Sequence, residues 1–323
     1  MNNYSWSQKK LHKLALAYQF IRESTFDVEN FVISTEQLIH NHVFIAGLAR
    51  SGSTILLNAI YESNQFSSLS YQDMPFVLAP NLWSKLSFNK QNSILVDRAH
   101  GDGIQVSSAS PEAFEEVFWK TFDDFNNDTQ EKFKNYVDLI NHKYKKKRYL
   151  SKNNQNIRRL ELISDTFPNA KILIPFRNPI QQSYSLLSQH RRFIEASKND
   201  TFISNYMKWT GHTEFGPNYI PIYDKKLICE YNLDINHWLE QWFLTYGNIY
   251  EKHKDTKNIY FICYEKLCSS KDYWVNILNV LDMDNKYGFK FRETQKTISI
   301  EIDHRIRDNA LYLYSELLEL DFA

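Results

Sequence analysis

The sequence predicts a three-layer α/β fold, in which a mostly parallel central sheet is flanked by helices, and two observations support this prediction. Short apolar runs at 43–46 and 170–176 have the composition of buried parallel strands, and segments with helical spacing follow them. The 323 residues and a hydrophobic content of 43% suffice for one large core. We therefore expect a single domain over residues 1–323.

The stretch that follows the first predicted strand carries the strongest functional signal. Gly47 and Gly52 bracket a turn that opens a helix, whose first N–H groups have no partner within the helix and attract anions. Arg50 adds a fixed positive charge, and the glycines let the backbone approach a ligand closely. Hydroxyl donors are supplied by Ser51, Ser53 and Thr54. The turn therefore predicts a site for a phosphate or sulfate group.

The turn is P-loop-like but lacks a defining residue of that motif. Its two glycines have the spacing of the nucleoside-triphosphate P-loop, yet Ser53 occupies the position of the lysine, and the cation is Arg50. A glycine turn that binds nothing is the structural alternative. The turn resembles the phosphosulfate loop of sulfotransferases, in which Lys or Arg precedes Ser-Gly-[ST]-[ST]. The donor in that family is 3′-phosphoadenosine 5′-phosphosulfate (PAPS).

A second cation follows the strand predicted at 170–176. Arg177 stands at its carboxyl end, and the next helix carries Ser185, so a guanidinium and a hydroxyl are available for a second phosphate. A structural ion pair is the alternative for Arg177. The pair resembles the 3′-phosphate site of sulfotransferases, which implies that Arg177 and Ser185 hold the 3′-phosphate of PAPS.

Two more positions extend the resemblance to about residues 40–285. Lys152 has the family's spacing ahead of that arginine, and Tyr264 ends a strand that resembles the family's Tyr-Glu strand. The resemblance implies that Lys152 and Arg50 stabilise charge on the sulfuryl and leaving phosphate oxygens, and that Tyr264 approaches the adenine. It also implies that no metal is needed.

The general base is less certain from the sequence. Phenol and steroid sulfotransferases follow the central lysine with Thr-His, whereas Asn153 and Asn154 follow it here, and amides cannot take the proton. The chain resembles the branch that uses a carboxylate after the first helix. Asp73 is therefore the first candidate for the base and His100, in a glycine-rich loop, the second. A turn-forming aspartate and a hydrogen-bonding histidine are the structural alternatives.

Other polar segments receive different interpretations. Ser110-Pro111 predicts the start of a helix, with the acids of 112–116 in its first turns and a structural role. The basic cluster at 143–148 is interpreted as a solvated helix end. Residues 191–250, rich in aromatic and polar side chains, are interpreted as an insertion that recognises the acceptor, which we expect to be a small molecule, lipid or carbohydrate.

Composition excludes several classes of partner and location. The formal net charge is zero, with 38 basic and 38 acidic residues, so nothing predicts binding to nucleic acid. The three cysteines have no metal-ligand spacing and are predicted to be reduced thiols. The polar N-terminus and the lack of a long apolar run predict a cytoplasmic protein without an integral membrane segment.

The resemblance implies transfer of the sulfuryl group of PAPS to an acceptor hydroxyl or amine by in-line attack, and two other functions remain as alternatives. A P-loop-type nucleotide kinase would need the missing loop lysine and an acid that binds Mg²⁺. A non-catalytic nucleotide-binding module would keep Arg50, Arg177 and Ser185 but lack a working base. The sequence leaves the identity of the acceptor open.

Overall fold

The computed structural model describes residues 4–35, 41–87, 96–97, 105–122, 127–223, 233–284, 288–292 and 297–320. The strands are β1 (Val43–Ile45), β2 (Phe66–Ser67), β3 (Val96–Asp97), β4 (Gln105–Val106), β5 (Arg148–Lys152), β6 (Lys171–Phe176) and β7 (Ile259–Cys263). The helices are α1 (Trp6–Ala17), α2 (Gln19–Val32), α3 (Ser53–Tyr61), α4 (Pro80–Leu86), α5 (Glu116–Thr121), α6 (Asn127–Tyr144), α7 (Leu160–Thr166), α8 (Pro179–Asn199), α9 (Thr201–Thr210), α10 (Ile235–His253), α11 (Tyr264–Ser269), α12 (Lys271–Val280) and α13 (His304–Glu319).

Five strands form one parallel sheet in the order β2-β5-β1-β6-β7. The central strand β1 pairs on one side with β5, with Val43 opposite Leu150, and on the other with β6, with Val43 opposite Lys171. Strands β3 and β4 form a separate antiparallel pair. The predicted α/β class, with a mostly parallel sheet and flanking helices, is confirmed.

The core surrounds β1, which explains its continuous apolar sequence. Val43, Phe44 and Ile45 have no exposed surface, as expected for a parallel strand covered on both faces. The Phe44 ring lies 6.2 Å from that of Phe133 on α6 and 5.9 Å from that of Tyr149 on β5, measured between centroids. Burial of such side chains stabilises each by about 1.5–3 kcal/mol, and it fixes the position of the loop that leaves β1.

The topology brings the carboxyl ends of β1, β5 and β6 to one edge. The chain leaves β1 towards β2 on one side of the sheet, returns through β5, and then crosses to β6 and β7 on the other side. A reversal of this kind opens a crevice at the carboxyl ends of the strands, where ligands of open α/β sheets bind. The loops β1–α3, β5–α7 and β6–α8 all begin at this edge.

The helix predicted from Ser110 begins later than expected. Its first helical residue is Glu116, because the preceding backbone pairs with the chain before the 3-10 turn at 71–73. Ser70 and Pro111 form an antiparallel bridge, and Glu112 N donates to Leu69 O at 3.0 Å. Tertiary pairing thus overrides a helix-start signal, and Glu112 lies in an extended segment.

Among the described residues, no helix is both long enough and apolar enough to cross a membrane.

Candidate active site

The β1–α3 loop has the backbone geometry of an anion-binding turn. Gly47 follows β1 closely, and a Cβ there would lie 2.9 Å from Pro175 O, so only glycine fits. Gly52 caps α3 at φ +89°, where a Cβ would lie 2.2 Å from the Tyr264 ring. Arg50 also has a left-handed φ, 68°, a conformation that costs a non-glycine residue free energy and that collects at functional sites.

Most of the polar side chains of the β1–α3 loop line a cavity, and one does not. Arg50, Ser53 and Thr54 line the cavity described below. Ser51 is fully buried and is absent from that lining. Contacts of these four residues with a donor stay predictions. The backbone of Ser51 still belongs to the turn, because it precedes the Gly52 cap.

The two predicted phosphate sites adjoin each other. Arg50 Nε donates to Ser185 Oγ at 3.0 Å, which joins the β1–α3 loop to α8 although 135 residues separate the two. Helix α8 begins at Pro179, and its N-cap Asn178 accepts bonds from the N–H groups of Ile180 and Gln181. The structure therefore brings the two motifs singled out in the sequence together at one edge of the sheet.

Arg177 and Tyr264 lie beside this junction. The Arg177 guanidinium is 5.7 Å from the centre of the Tyr264 ring, and its Nε is 3.7 Å from Glu265 Oε1. The Tyr264 ring is buried against Gly52, and its hydroxyl donates to Arg292 O at 2.8 Å. Glu265 is thus an ion-pair partner of the kind that the structural alternative for Arg177 requires. Arg177 also lies beside the β1–α3 loop. Contacts of Arg177 and Tyr264 with a donor stay predictions.

A cleft with about 730 Å³ of empty space, including the part open to solvent, lies in front of the loop. Its polar lining consists of Arg50, Ser53, Thr54, Tyr71, Glu112, Lys152, Asn154, His212 and Glu214. Its apolar lining consists of Ala49, Phe114, Phe193, Tyr206, Met207 and Phe215. Lys152, at the end of β5, is almost fully buried and lies where the sequence predicted it.

The surroundings of Asp73 match its structural alternative, and its role as the base stays a prediction. Its carboxylate has no exposed surface, and it accepts bonds from Ser70 N and from the Tyr144 hydroxyl, both at 2.7 Å. Lys143 forms an ion pair with it. Burial and then the charge of Asp73 raise the pKa of Tyr144, which keeps that hydroxyl protonated as a donor. A buried carboxylate with all these donors suits the fold better than proton transfer, and Asp73 does not line the cleft.

Lys143 belongs to the basic cluster that the sequence analysis interprets as solvated. Only 11% of its side chain is exposed, since it turns inward to Asp73 at the end of α6. No local sequence pattern indicates this partner. His100, the second candidate for the base, lies outside the described residues, and its role stays a prediction.

Glu112 is a carboxylate in the cleft that the sequence analysis assigned to a helix end. Its Oε2 accepts a bond from the Tyr71 hydroxyl at 3.0 Å, and its Oε1 accepts from Ala113 N at 2.9 Å. The acids that follow it turn away: Glu115 accepts from Tyr149 and Asn156, and Glu116 pairs with Arg159. Because α5 begins only at Glu116, Glu112 alone of the three acids reaches the cleft.

Glu214 is the second carboxylate of the cleft. Asn154 Nδ2 donates to its Oε1 at 3.0 Å, and His212 Nδ1 lies 3.7 Å from its Oε2. Burial alone would raise the pKa of Glu214, but the adjacent imidazole of His212 and the charge of Lys152 outweigh it and lower the pKa to about 2. Asn154, an amide that cannot serve as a base, therefore positions a carboxylate.

Gln155 Nε2 also donates to Thr213 Oγ1 at 3.3 Å, which fixes the 211–216 segment to the end of β5. The polar and aromatic character of 209–217 was the sequence signal for this wall.

The fold and cleft are typical of an α/β enzyme whose strand–helix loop offers positive charge and N–H groups to an anion. A family model described as "Sulfotransferase family" matches residues 42–284, three quarters of the chain. The chain belongs to the sulfotransferase family, so the predicted family and the predicted sulfotransferase activity are confirmed.

Several solved structures are similar to this chain at low sequence identity. A sulfotransferase from Mycobacterium tuberculosis H37Rv is 11% identical, with a TM-score of 0.49 over 94% of this chain and 82% of that chain. One from Mycobacterium avium is 10% identical, with a TM-score of 0.47 over 94% and 75%. The sulfotransferase domain of the Synechococcus PCC 7002 olefin synthase is 13% identical, with a TM-score of 0.39 over 90% and 100%. No curated protein sequence matches the chain.

Proposed function

We propose that this protein transfers the sulfuryl group of PAPS to an acceptor hydroxyl. The observation that carries the proposal is that residues of the β1–α3 loop and a carboxylate line the same cleft. The loop residues are Arg50, Ser53 and Thr54, and the carboxylate is Glu112. Group transfer needs this juxtaposition, because the attacking oxygen, its base and the donor must meet at one point.

The donor half of the site supplies positive charge and N–H groups. Arg50, Lys152 and the N-terminus of α3 stabilise the negative charge that develops on the sulfuryl and leaving phosphate oxygens. Arg177 and Ser185 hold the 3′-phosphate, and Tyr264 lies near the adenine. The residues present use hydrogen bonds and fixed charge for these tasks.

The acceptor half supplies the base, for which we propose Glu112 in place of Asp73. The acceptor oxygen attacks sulfur, the bond between sulfur and the bridging phosphate oxygen breaks, and the hydroxyl proton passes to Glu112. Glu112 suits this step because it lines the cleft with its Oε2 fixed by Tyr71. Glu214 suits it less, since a carboxyl with a pKa of about 2 is a weak proton acceptor. Residues 191–250 would recognise the acceptor.

Calorimetric titration with adenosine 3′,5′-bisphosphate, the product of the donor, tests the proposal without an acceptor. We expect binding to the wild-type protein that is tighter than binding of ATP·Mg²⁺ and that weakens at least tenfold in Arg177→Ala, since a charged partner is lost. The matched control is Arg307→Ala on α13, where the arginine side chain is 36% exposed and pairs with Asp308.

Each alternative predicts a different result. Preference for ATP·Mg²⁺ would indicate a P-loop-type nucleotide kinase. Tight binding of the bisphosphate without transfer from PAPS to any acceptor would indicate a non-catalytic nucleotide-binding module. No binding of either nucleotide would contradict the assignment of the donor.

A further inference from the structure

A buried glutamine on α8 contacts the backbone of the β1–α3 loop. Ala49 and Arg50 line the cleft, yet the backbone oxygen of Ala49 accepts a bond at 3.0 Å from Nε2 of Gln182. The same nitrogen lies 3.5 Å from Leu48 O. Gln182 has no exposed surface. Two consecutive carbonyl groups of the loop therefore face one buried side-chain amide.

A tryptophan on α10 sets the orientation of that amide. Trp242 Nε1 donates to Gln182 Oε1 at 3.0 Å, and Trp242 is also fully buried. An indole N–H can only donate, so the amide oxygen of Gln182 faces Trp242 and its N–H groups face the loop. Trp242 thus determines that the loop meets a donor and not an acceptor.

A tyrosine one turn further along α10 supports the same arrangement. The Tyr246 ring lies 4.8 Å from the ring of Trp242, measured between centroids, and its hydroxyl donates to Pro175 O at 2.7 Å. Burial raises the pKa of Tyr246, and hydrogen bonds that include one from the Gln182 amide lower it. Both aromatic side chains of α10 therefore contact Gln182 and hold it in place.

The direction of the two carbonyl groups determines what the loop offers to an anion. In a trans peptide the C=O and the N–H that follows it point in opposite directions. A carbonyl held by Gln182 therefore turns the N–H of the next residue away from α8. For Ala49 O, that N–H belongs to Arg50. Backbone N–H groups bind anions, whereas a carbonyl oxygen turned towards a bound phosphate would repel it.

Contacts from α8 also flank the strained residue of the loop. Arg50 has a φ of 68°, and such a conformation persists only where the surrounding contacts determine it. Gln182 binds the carbonyl that precedes Arg50, and Ser185 Oγ accepts from Arg50 Nε at 3.0 Å. The two α8 residues are three positions apart and so lie on one face of the helix.

We propose that Gln182 is a positioning residue for PAPS and that Trp242 fixes its orientation. Gln182 holds the carbonyl groups of Leu48 and Ala49 away from the 5′-phosphosulfate, so that the loop presents N–H groups and Arg50 to it. This inference rests on the proposed function, which places the phosphosulfate at the β1–α3 loop. Trp242, although it lies within 191–250, serves the loop and not the acceptor.

Two nucleotides that differ by one phosphate separate this role from a general effect on the fold. Adenosine 3′,5′-bisphosphate engages the loop through its 5′-phosphate, whereas adenosine 3′-monophosphate lacks that group and relies on the side of the site with Arg177. We expect Gln182→Met to weaken binding of the bisphosphate about tenfold and to leave binding of the monophosphate within about twofold of wild type. Calorimetric titration, with displacement for the weaker ligand, measures both affinities.

The matched control is Gln189→Met. Gln189 is a buried glutamine on the same helix, and it is not among the described residues that line the cleft. Both affinities should be unchanged in this variant.

Two further variants test the donor and its orientation. Gln182→Glu fills the same volume and still accepts from Trp242, but its carboxylate cannot donate to the loop. It should weaken bisphosphate binding at least as much as Gln182→Met, and it replaces that variant if Gln182→Met does not fold. Trp242→Phe should show the same selective loss at a smaller size, about threefold.

The outcomes separate this inference from the proposed function. Bisphosphate binding at wild-type affinity in the Gln182 variants would overturn the inference. Equal weakening of both nucleotides would also overturn it, because a merely structural role affects the whole site. Failure of the wild-type protein to bind the bisphosphate would instead contradict the proposed function. Wild-type binding of the bisphosphate no tighter than that of the monophosphate would contradict the placement of the phosphosulfate at the loop, and the inference with it.

Discussion

Two neighbouring segments, 70–73 and 111–114, each present a carboxylate with a tyrosine partner, and the two carboxylates have opposite surroundings. The segments are joined by the bridge between Ser70 and Pro111. Asp73 points into the fold, where Tyr144 and Lys143 contact it, whereas Glu112 lines the cleft with Tyr71. Position after a strand therefore does not determine which acid can serve as a base; the donors around it do.

The surroundings of the two carboxylates differ in which groups take the place of water. Asp73 has lost all contact with solvent, and an ion pair with hydrogen bonds offsets the cost of that burial. Proton uptake there would leave Lys143 without its partner. Glu112 is 8% exposed and lines the cleft. Under the proposed function an acceptor hydroxyl approaches it there, so variants of the two acids should separate stability from catalysis.

The largest stability effect is expected at Asp73. Asp73→Asn removes the charge opposite Lys143 and should lower the free energy of unfolding by about 3–5 kcal/mol, the usual cost of breaking a buried ion pair. Denaturant unfolding measures the change. Asp128→Asn is the control, since its ion pair with Lys132 lies within one helix and its side chain is 69% exposed; it should change stability by less than about 0.5 kcal/mol. Equal losses of stability in Asp73→Asn and Asp128→Asn would contradict the structural role of the buried ion pair.

The two tyrosines give a smaller and more selective test. Tyr144→Phe removes a bond to the charged Asp73 and should cost about 1.5–3 kcal/mol of stability with little change in turnover. Tyr71→Phe removes the hydrogen bond to Glu112 Oε2 and should lower turnover by about tenfold or less, with little change in stability. Unfolding curves measure the stability of both variants, and initial rates measure their turnover. A turnover loss in Tyr144→Phe that exceeds that of Tyr71→Phe would contradict the assignment.

The strand–turn–helix unit at β1–α3 could be predicted from the sequence for a physical reason. The β1–α3 loop is contiguous and acts largely through its backbone, so glycine spacing and one cation are enough to identify it. Apolar patterns located β1 and β6, and parallel strands bring their carboxyl ends to one edge. Which side the Ser51 hydroxyl faces is not encoded locally, because a hydroxyl in a turn can face either side.

The acceptor half depends on contacts between distant segments, which no local pattern encodes. Glu214 reaches the cleft through the amide of Asn154, 60 residues earlier in the chain. Glu112 reaches it because the bridge at Pro111 delays the start of α5 to Glu116. A Ser-Pro-acid helix start is a sound local signal, and tertiary pairing overrode it. The sequence around Lys143 is likewise typical of a solvated helix end, because its ion-pair partner lies in a distant segment.

The most direct test of the central claim is a comparison of Glu112→Gln and Asp73→Asn in one PAPS-dependent transfer assay. Turnover is measured per folded molecule, with bisphosphate affinity as the check on the donor site. We expect Glu112→Gln to lose about 10²–10⁴ in turnover, the usual contribution of a general base, while Asp73→Asn stays within a few-fold of wild type. A greater loss in Asp73→Asn than in Glu112→Gln would contradict the account and return the base to Asp73.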